Sequence, residues 1–149
     1  MTTDRPKSTW RANRPGVAFA VVALGGAGGA VARVALERAF PVEKGGFPTT
    51  TLCINLAGAL LIGALTVVTV QRRVAHPLIH PLCAIGILGG FTTFATFAVE
   101  VDLLLRAGRV ATGCAYVAVT LVGGLVAVVA GTAATRWGFT RLERRPGGR

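Results

Sequence analysis

Acidic residues are scarce in this sequence, and they are missing from its first apolar stretch. Six Asp and Glu stand against sixteen Lys and Arg, for a formal net charge of +10. In the stretch 16–36 no Asp or Glu precedes Glu37 at its end. A small multidrug-type proton-coupled exporter needs a membrane-buried carboxylate to exchange a proton for a cationic drug, and this chain has none there. Cysteine is limited to Cys53, Cys83 and Cys114, without CxxC spacing and in an odd number. That argues against a disulfide framework or a zinc module and leaves them as small packing residues. No catalytic dyad or ATP site is visible, so an enzyme is not expected. The glycine run Gly25-Gly26-Ala27-Gly28-Gly29-Ala30 lacks the third glycine and the later acidic residue of a dinucleotide-binding loop, and reads as helix packing.

Charge of either sign is absent over 45–71, 74–99 and 110–135. Each gap is long enough to cross the hydrocarbon core, which takes roughly 20 apolar residues as helix. The stretch 16–36 is interrupted only by Arg33, close enough to its end to snorkel. With 52% hydrophobic residues, the chain carries more apolar surface than a soluble domain this short can bury. These features predict an all-α membrane protein with four transmembrane helices, at about 16–36, 49–70, 82–105 and 110–135. The transmembrane unit spans 16–135, between a basic N-terminal arm (1–15) and a basic C-terminal tail (136–149). The basic residues flank the spans, as expected from membrane orientation and anionic lipid rather than from nucleic-acid binding. His76 and His80 share i, i+4 spacing, but the proline after each disfavours helix there and weakens a metal-site reading. Small residues recur four apart, Gly25 with Gly29, Ala59 with Gly63, Gly86 with Gly90 and Ala127 with Gly131, which suits close helix crossings in lipid.

The third span is the unusual one. It contains Gly89-Gly90-Phe91-Thr92-Thr93-Phe94-Ala95-Thr96-Phe97. Irregular backbone at membrane depth is tolerated only where protein buries it or it lines a cavity. A helix break is expected at 89–92, and carbonyls freed there are hard donors suited to a small cation. Phe94 and Phe97 lie i, i+3 apart; ring edges carry positive potential and attract an anion without a full charge. Conduction needs binding that is favourable yet weak. On the second span Thr51 and Asn55 share a face. On the fourth, Thr112, Tyr116 and Thr120 form a polar stripe that Gly124 continues.

Three segments together carry a family resemblance: Gly25 to Arg33 in the first span, Thr51-Leu52-Cys53-Ile54-Asn55-Leu56-Ala57-Gly58 in the second, and the 89–97 run in the third. The chain resembles the small fluoride channels of the CrcB/Fluc family over most of 25–135. The resemblance implies a fluoride-selective channel that passively exports cytoplasmic fluoride and protects the cell from its toxicity. It implies an antiparallel dimer with two pores at the interface. Phe94 and Phe97 would contact fluoride, with Asn55 lining the pore near them, and Tyr116 and Thr120 on a polar track. Thr51 and Thr96 complete the expected pore set, and Arg33 marks a helix end. A structural sodium ion is implied at the dimer axis, held by backbone carbonyls of Gly89 and Thr92. Ala95 stands where many members have serine, and Gly124 interrupts the track. The alternatives are the multidrug-type exporter and a membrane scaffold without transport.

Four spans put the arm, the 72–81 link and the tail on one side of the cell membrane. That side holds Arg5, Lys7, Arg11, Arg14, Arg72, Arg73, Arg136, Arg141, Arg144, Arg145 and Arg149. The other holds Arg38, Lys44, Arg106 and Arg109, with Arg33 near it. Positive-inside logic predicts cytoplasmic termini, and hence a related, oppositely inserted partner subunit. The competing expectation is a dual-topology homodimer.

Overall fold

The structure, a computed structural model, describes residues 15–43, 45–71 and 78–143, with the backbone alone at 70 and 71. The basic arm, Lys44, the Arg72–Arg73 pair, His76 and the last six tail residues lie outside that description. The described residues form helices and no strand. α1 spans Pro15–Ala39 and α2 spans Thr49–Thr66, which continues as π-helical turns π1, Val67–Gln71. The third span comprises π2 (Pro81–Leu88), α3 (Gly89–Phe91) and α4 (Phe94–Arg106); α5 is Val110–Glu143. Four helical stretches, Pro15–Ala39, Thr49–Thr69, Pro81–Arg106 and Val110–Glu143, are long and apolar enough to cross a membrane. Their outer surface suits lipid: Phe19, Leu24, Val31 and Leu125 are all largely exposed on the single chain.

The spans pair alternately. α1 packs on π2 and α3, and α2 packs on α5, with α4 also against α5. Glycines set both crossings. A Cβ on Gly29 would collide with the Ile87 carbonyl, and one on Gly90 with the Gly26 carbonyl. Between α2 and α5, a Cβ on Gly63 would strike the Val128 carbonyl and one on Gly131 the Leu60 carbonyl. Dispersion between backbones at such distances replaces the hydrophobic drive that lipid removes.

Helix ends follow local chemistry. After α4 the Arg109 N–H bonds the Leu104 carbonyl at 2.9 Å and the Gly108 N–H bonds the Leu105 carbonyl at 3.0 Å. Gly108 takes φ +73 between them. This is a Schellman stop, whose C′ position favours glycine. The turn is tight enough to send α5 straight back along α4.

Two expectations need adjustment. α5 continues to Glu143 rather than ending near 135, so the first eight tail residues are helical. Arg136 and Arg141 are no obstacle, because basic groups suit a helix C-terminus. His80 is helical (φ −63, ψ −50) despite the proline that follows it, since Pro81 occupies the first turn of π2, where its missing N–H costs nothing. Its Nδ1 lies 3.2 Å from Thr69 Oγ1, across the gap between the second and third spans. No His, Cys, Asp or Glu cluster able to hold a metal occurs among the described residues.

Candidate functional site

The third span leaves helical geometry at Thr92 (φ −78, ψ 155) and Thr93 (φ −143, ψ 121). Gly89, by contrast, is ordinary right-handed helix (φ −64, ψ −35). The departure therefore falls at the end of the 89–92 stretch and beyond it, on threonines rather than on glycine. The neighbouring glycines Gly86 and Gly90 serve the crossing with α1 instead.

Asn55 holds the extended residues. Its Nδ2 donates to the Thr93 carbonyl at 3.1 Å, and its Oδ1 accepts the Thr93 N–H at 2.9 Å. Both halves of the amide are thereby matched to one peptide unit's worth of orphaned backbone, as buried polar groups require. Thr93 then caps α4: its Oγ1 accepts the Thr96 N–H at 3.1 Å and donates to Thr96 Oγ1 at 3.0 Å. Thr is a favoured N-cap for this reason. The carbonyls of 89–92 lose their helical donors as a result, Gly89 and Thr92 among them. The Thr93 N–H would close on Gly89 in an unbroken helix, and the Thr96 N–H would close on Thr92. Behind the break, Arg33 Nε reaches the Gly90 carbonyl at 3.4 Å while its Nη1 pairs with Glu37 at 3.1 Å.

In front of the break lies a groove of about 470 Å³. Its lining includes Asn55, Gly89, Thr92, Phe94, Phe97 and Thr120, with Gly124 further along. Six of the sequence-selected residues thus meet on one face, from four separate helical segments. The Phe94 and Phe97 rings sit 5.9 Å apart at 44°. Phe94 is 80% exposed on the single chain, an unusual state for a ring beside a groove, whereas Phe97 is 9% exposed. Thr120 Oγ1 is buried and has no hydrogen-bond partner. Thr132 and Thr135 on the same helix bond back to the carbonyls of Val128 and Gly131, at 2.9 and 2.8 Å. Thr120 makes no such bond, so its hydroxyl is left without a protein partner in a residue that lines the groove. Thr92 is different: its hydroxyl donates to the Leu88 carbonyl at 2.8 Å. Its methyl faces Gly58, where any Cβ would clash.

Thr51 and Tyr116 are not in the groove lining. They meet at Glu100, a residue that the sequence reading did not select. Thr51 Oγ1 donates to Glu100 Oε1 and Tyr116 Oη to Oε2, each at 2.7 Å. Thr51 is 2% and Tyr116 0% exposed. The Tyr116 ring stacks between Phe47, 5.5 Å away, and Phe97, 5.1 Å away. The cluster therefore joins the groove through Phe97, and it ties α2, α4 and α5 together. Its signal in the sequence was the i, i+3 step from Phe97 to Glu100, which puts the carboxylate on the aromatic face.

The chain was compared with known proteins. The family model described as CrcB-like protein, Camphor Resistance (CrcB), matches residues 20–132. A fluoride-specific ion channel FluC 1 of Streptomyces coelicolor is 48% identical over 82% of this chain and 78% of its own length. A FluC 2 of Streptomyces avermitilis is 46% identical over 78% of this chain and 73% of its own. A FluC of Anaeromyxobacter sp. is 38% identical over 78% of this chain and 94% of its own. The match runs through every span that builds the groove, and the chain belongs to the CrcB family.

Proposed function

We propose that this chain is a fluoride-specific ion channel, a multi-pass membrane protein that lets cytoplasmic fluoride leave the cell passively. The observation that carries the reading is the groove where an unbonded Thr120 hydroxyl, the Asn55 amide and the Phe94–Phe97 pair meet without any charged side chain. A small, hard anion needs donors to replace water. Hydroxyl and amide protons supply them, and aromatic edges supply weaker positive potential. None of these holds the ion as a fixed cation would, so release stays fast. A membrane potential of 100 mV is worth about 2.3 kcal/mol per charge, enough to drive export without ATP or covalent chemistry. A multidrug-type exporter and a transport-free scaffold are not favoured, since neither requires this set of groups to converge.

The groove is open on one side, and Phe94 stands on its rim. An antiparallel dimer, with two pores at its interface, would close it. The interruption at Thr92 and Thr93 is the working break of the third span in this reading. A sodium ion at the dimer axis fits the residues present: the Gly89 and Thr92 carbonyls have lost their helical donors, and both residues line the groove. Bound sodium would supply positive charge that fixes these carbonyls, while Asn55 holds the extended backbone at Thr93 beside them. The uneven basic flanks favour insertion with both termini in the cytoplasm, beside a related subunit inserted the other way.

Fluoride efflux from liposomes containing the purified protein tests the function, with chloride as control. Rapid fluoride release without chloride release is expected. Release of both, or of neither, would remove the channel assignment.

A further inference from the structure

The last two turns of α5 outrun the membrane core. The helix has 34 residues, about 51 Å at 1.5 Å per residue, against about 30 Å of hydrocarbon. Charge is absent from 110–135 and returns at Arg136. The final turns therefore stand at the headgroup level of one leaflet, where Trp and Arg concentrate.

At this level Trp137 is 57% exposed, and Arg141 places its guanidinium carbon 3.7 Å from the indole centroid. The two are i, i+4 neighbours, so the stack lies along one outward face. Stacking occupies the flat face of the guanidinium and leaves its in-plane N–H fork pointing outward, the geometry that matches phosphate oxygens. No carboxylate among the described residues pairs with Arg141. Glu143, the acidic residue nearest in sequence, lies two positions on and hence round the other side of the helix. Arg144 and Arg145 follow at once in the sequence, so the charge at this end is strongly positive.

We propose that the Trp137–Arg141 pair is a binding site for the phosphate of an anionic phospholipid headgroup. The indole lies at the boundary between acyl chain and headgroup, and the guanidinium it carries receives the phosphate. A zwitterionic lipid offers the same phosphate but adds an ammonium, which the net positive charge of this stretch of sequence disfavours.

The chain has two tryptophans, so a W10F background makes Trp137 the sole indole. This protein is reconstituted into phosphatidylcholine vesicles that contain brominated phosphatidylglycerol or, separately, brominated phosphatidylcholine at equal mole fraction. Quenching of Trp137 should report about fivefold enrichment of the anionic lipid, the equivalent of ~1 kcal/mol for one basic residue at the surface. Arg141→Gln should abolish the excess while fluoride efflux stays at the parent level, because Arg141 lies outside the groove. Equal quenching by the two lipids in the parent would overturn the proposal without recourse to any variant. A full anionic preference in Arg141→Gln would overturn it as well.

Discussion

Asn55→Ala separates a pore role from a packing role. The wild-type amide makes two hydrogen bonds to one residue, 3.1 Å to the Thr93 carbonyl and 2.9 Å from the Thr93 N–H. Alanine leaves both backbone groups without a protein partner. A buried polar group left unsatisfied costs about 1–3 kcal/mol. The groove beside Thr93 admits water, so the lower half of that range applies to each, for a loss of about 2–4 kcal/mol in stability. Transport should fall even in the fraction that remains folded, because the backbone at Thr93 loses its anchor together with an amide donor of the groove. A flux decrease of about tenfold corresponds to only 1.4 kcal/mol in the barrier and is the minimum expected. Asn55→Asp provides the contrast. It keeps an acceptor for the Thr93 N–H but introduces negative charge into an anion path. At an effective dielectric of 20, a like charge at 4 Å costs about 4 kcal/mol, or roughly a thousandfold in occupancy. Fluoride-electrode recordings of liposome efflux, alongside thermal unfolding of the same preparations, give both quantities. Near-normal flux in Asn55→Asp, or an Asn55→Ala that unfolds yet conducts normally whenever folded, would refute the reasoning.

Phe94→Ile and Phe97→Ile should both lower fluoride flux by removing a ring edge. Only Phe97→Ile should also lose stability, by about 1 kcal/mol, since only it packs on Tyr116; undiminished flux in both variants would dismiss the aromatic pair. Exchanging sodium for a large organic cation should lower the unfolding midpoint, through a loss of as much as about 2.7 kcal/mol in stability where sodium had stood at a hundred times its dissociation constant. Identical melting in the two salts would count against the Gly89 and Thr92 carbonyl site. Reporter fusions at the C-terminus, with the chain expressed alone, should report the cytoplasmic side predominantly, and an even split would replace the oppositely inserted partner with a dual-topology homodimer.

The spans were legible because charge is expelled from hydrocarbon, and the uncharged runs mark them directly. The glycine spacing gave the crossings for a similar reason: lipid rewards close backbone contact, and only small residues allow it. The groove residues were legible as chemistry in the wrong solvent, as with Asn55 and Thr120. Three things were not. The extended residues are Thr92 and Thr93, at and just past the end of the expected 89–92 stretch, because a side-chain amide from another helix holds them there, and no local propensity records that bond. Glu100 was passed over because its partners Thr51 and Tyr116 are distant in sequence. The end of α5 was set too early because the return of charge marks where lipid stops, and a helix does not have to stop with it.

The alternation of partners, first span with third and second with fourth, bears on how the molecule is made. Spans enter the bilayer in order as the chain emerges from the ribosome. Neither adjacent pair among the first three forms an extensive face of its own, since α1 and α2 touch only slightly. α1 must therefore wait in lipid until π2 and α3 arrive with Gly86 and Gly90. α2 waits longer, until Gly131 of α5 reaches Leu60. A nascent chain halted after Arg106 holds one finished crossing and one orphaned helix, with the Gly63 face bare to lipid. The finished groove needs Thr120 of α5, so it is assembled only when the last span arrives.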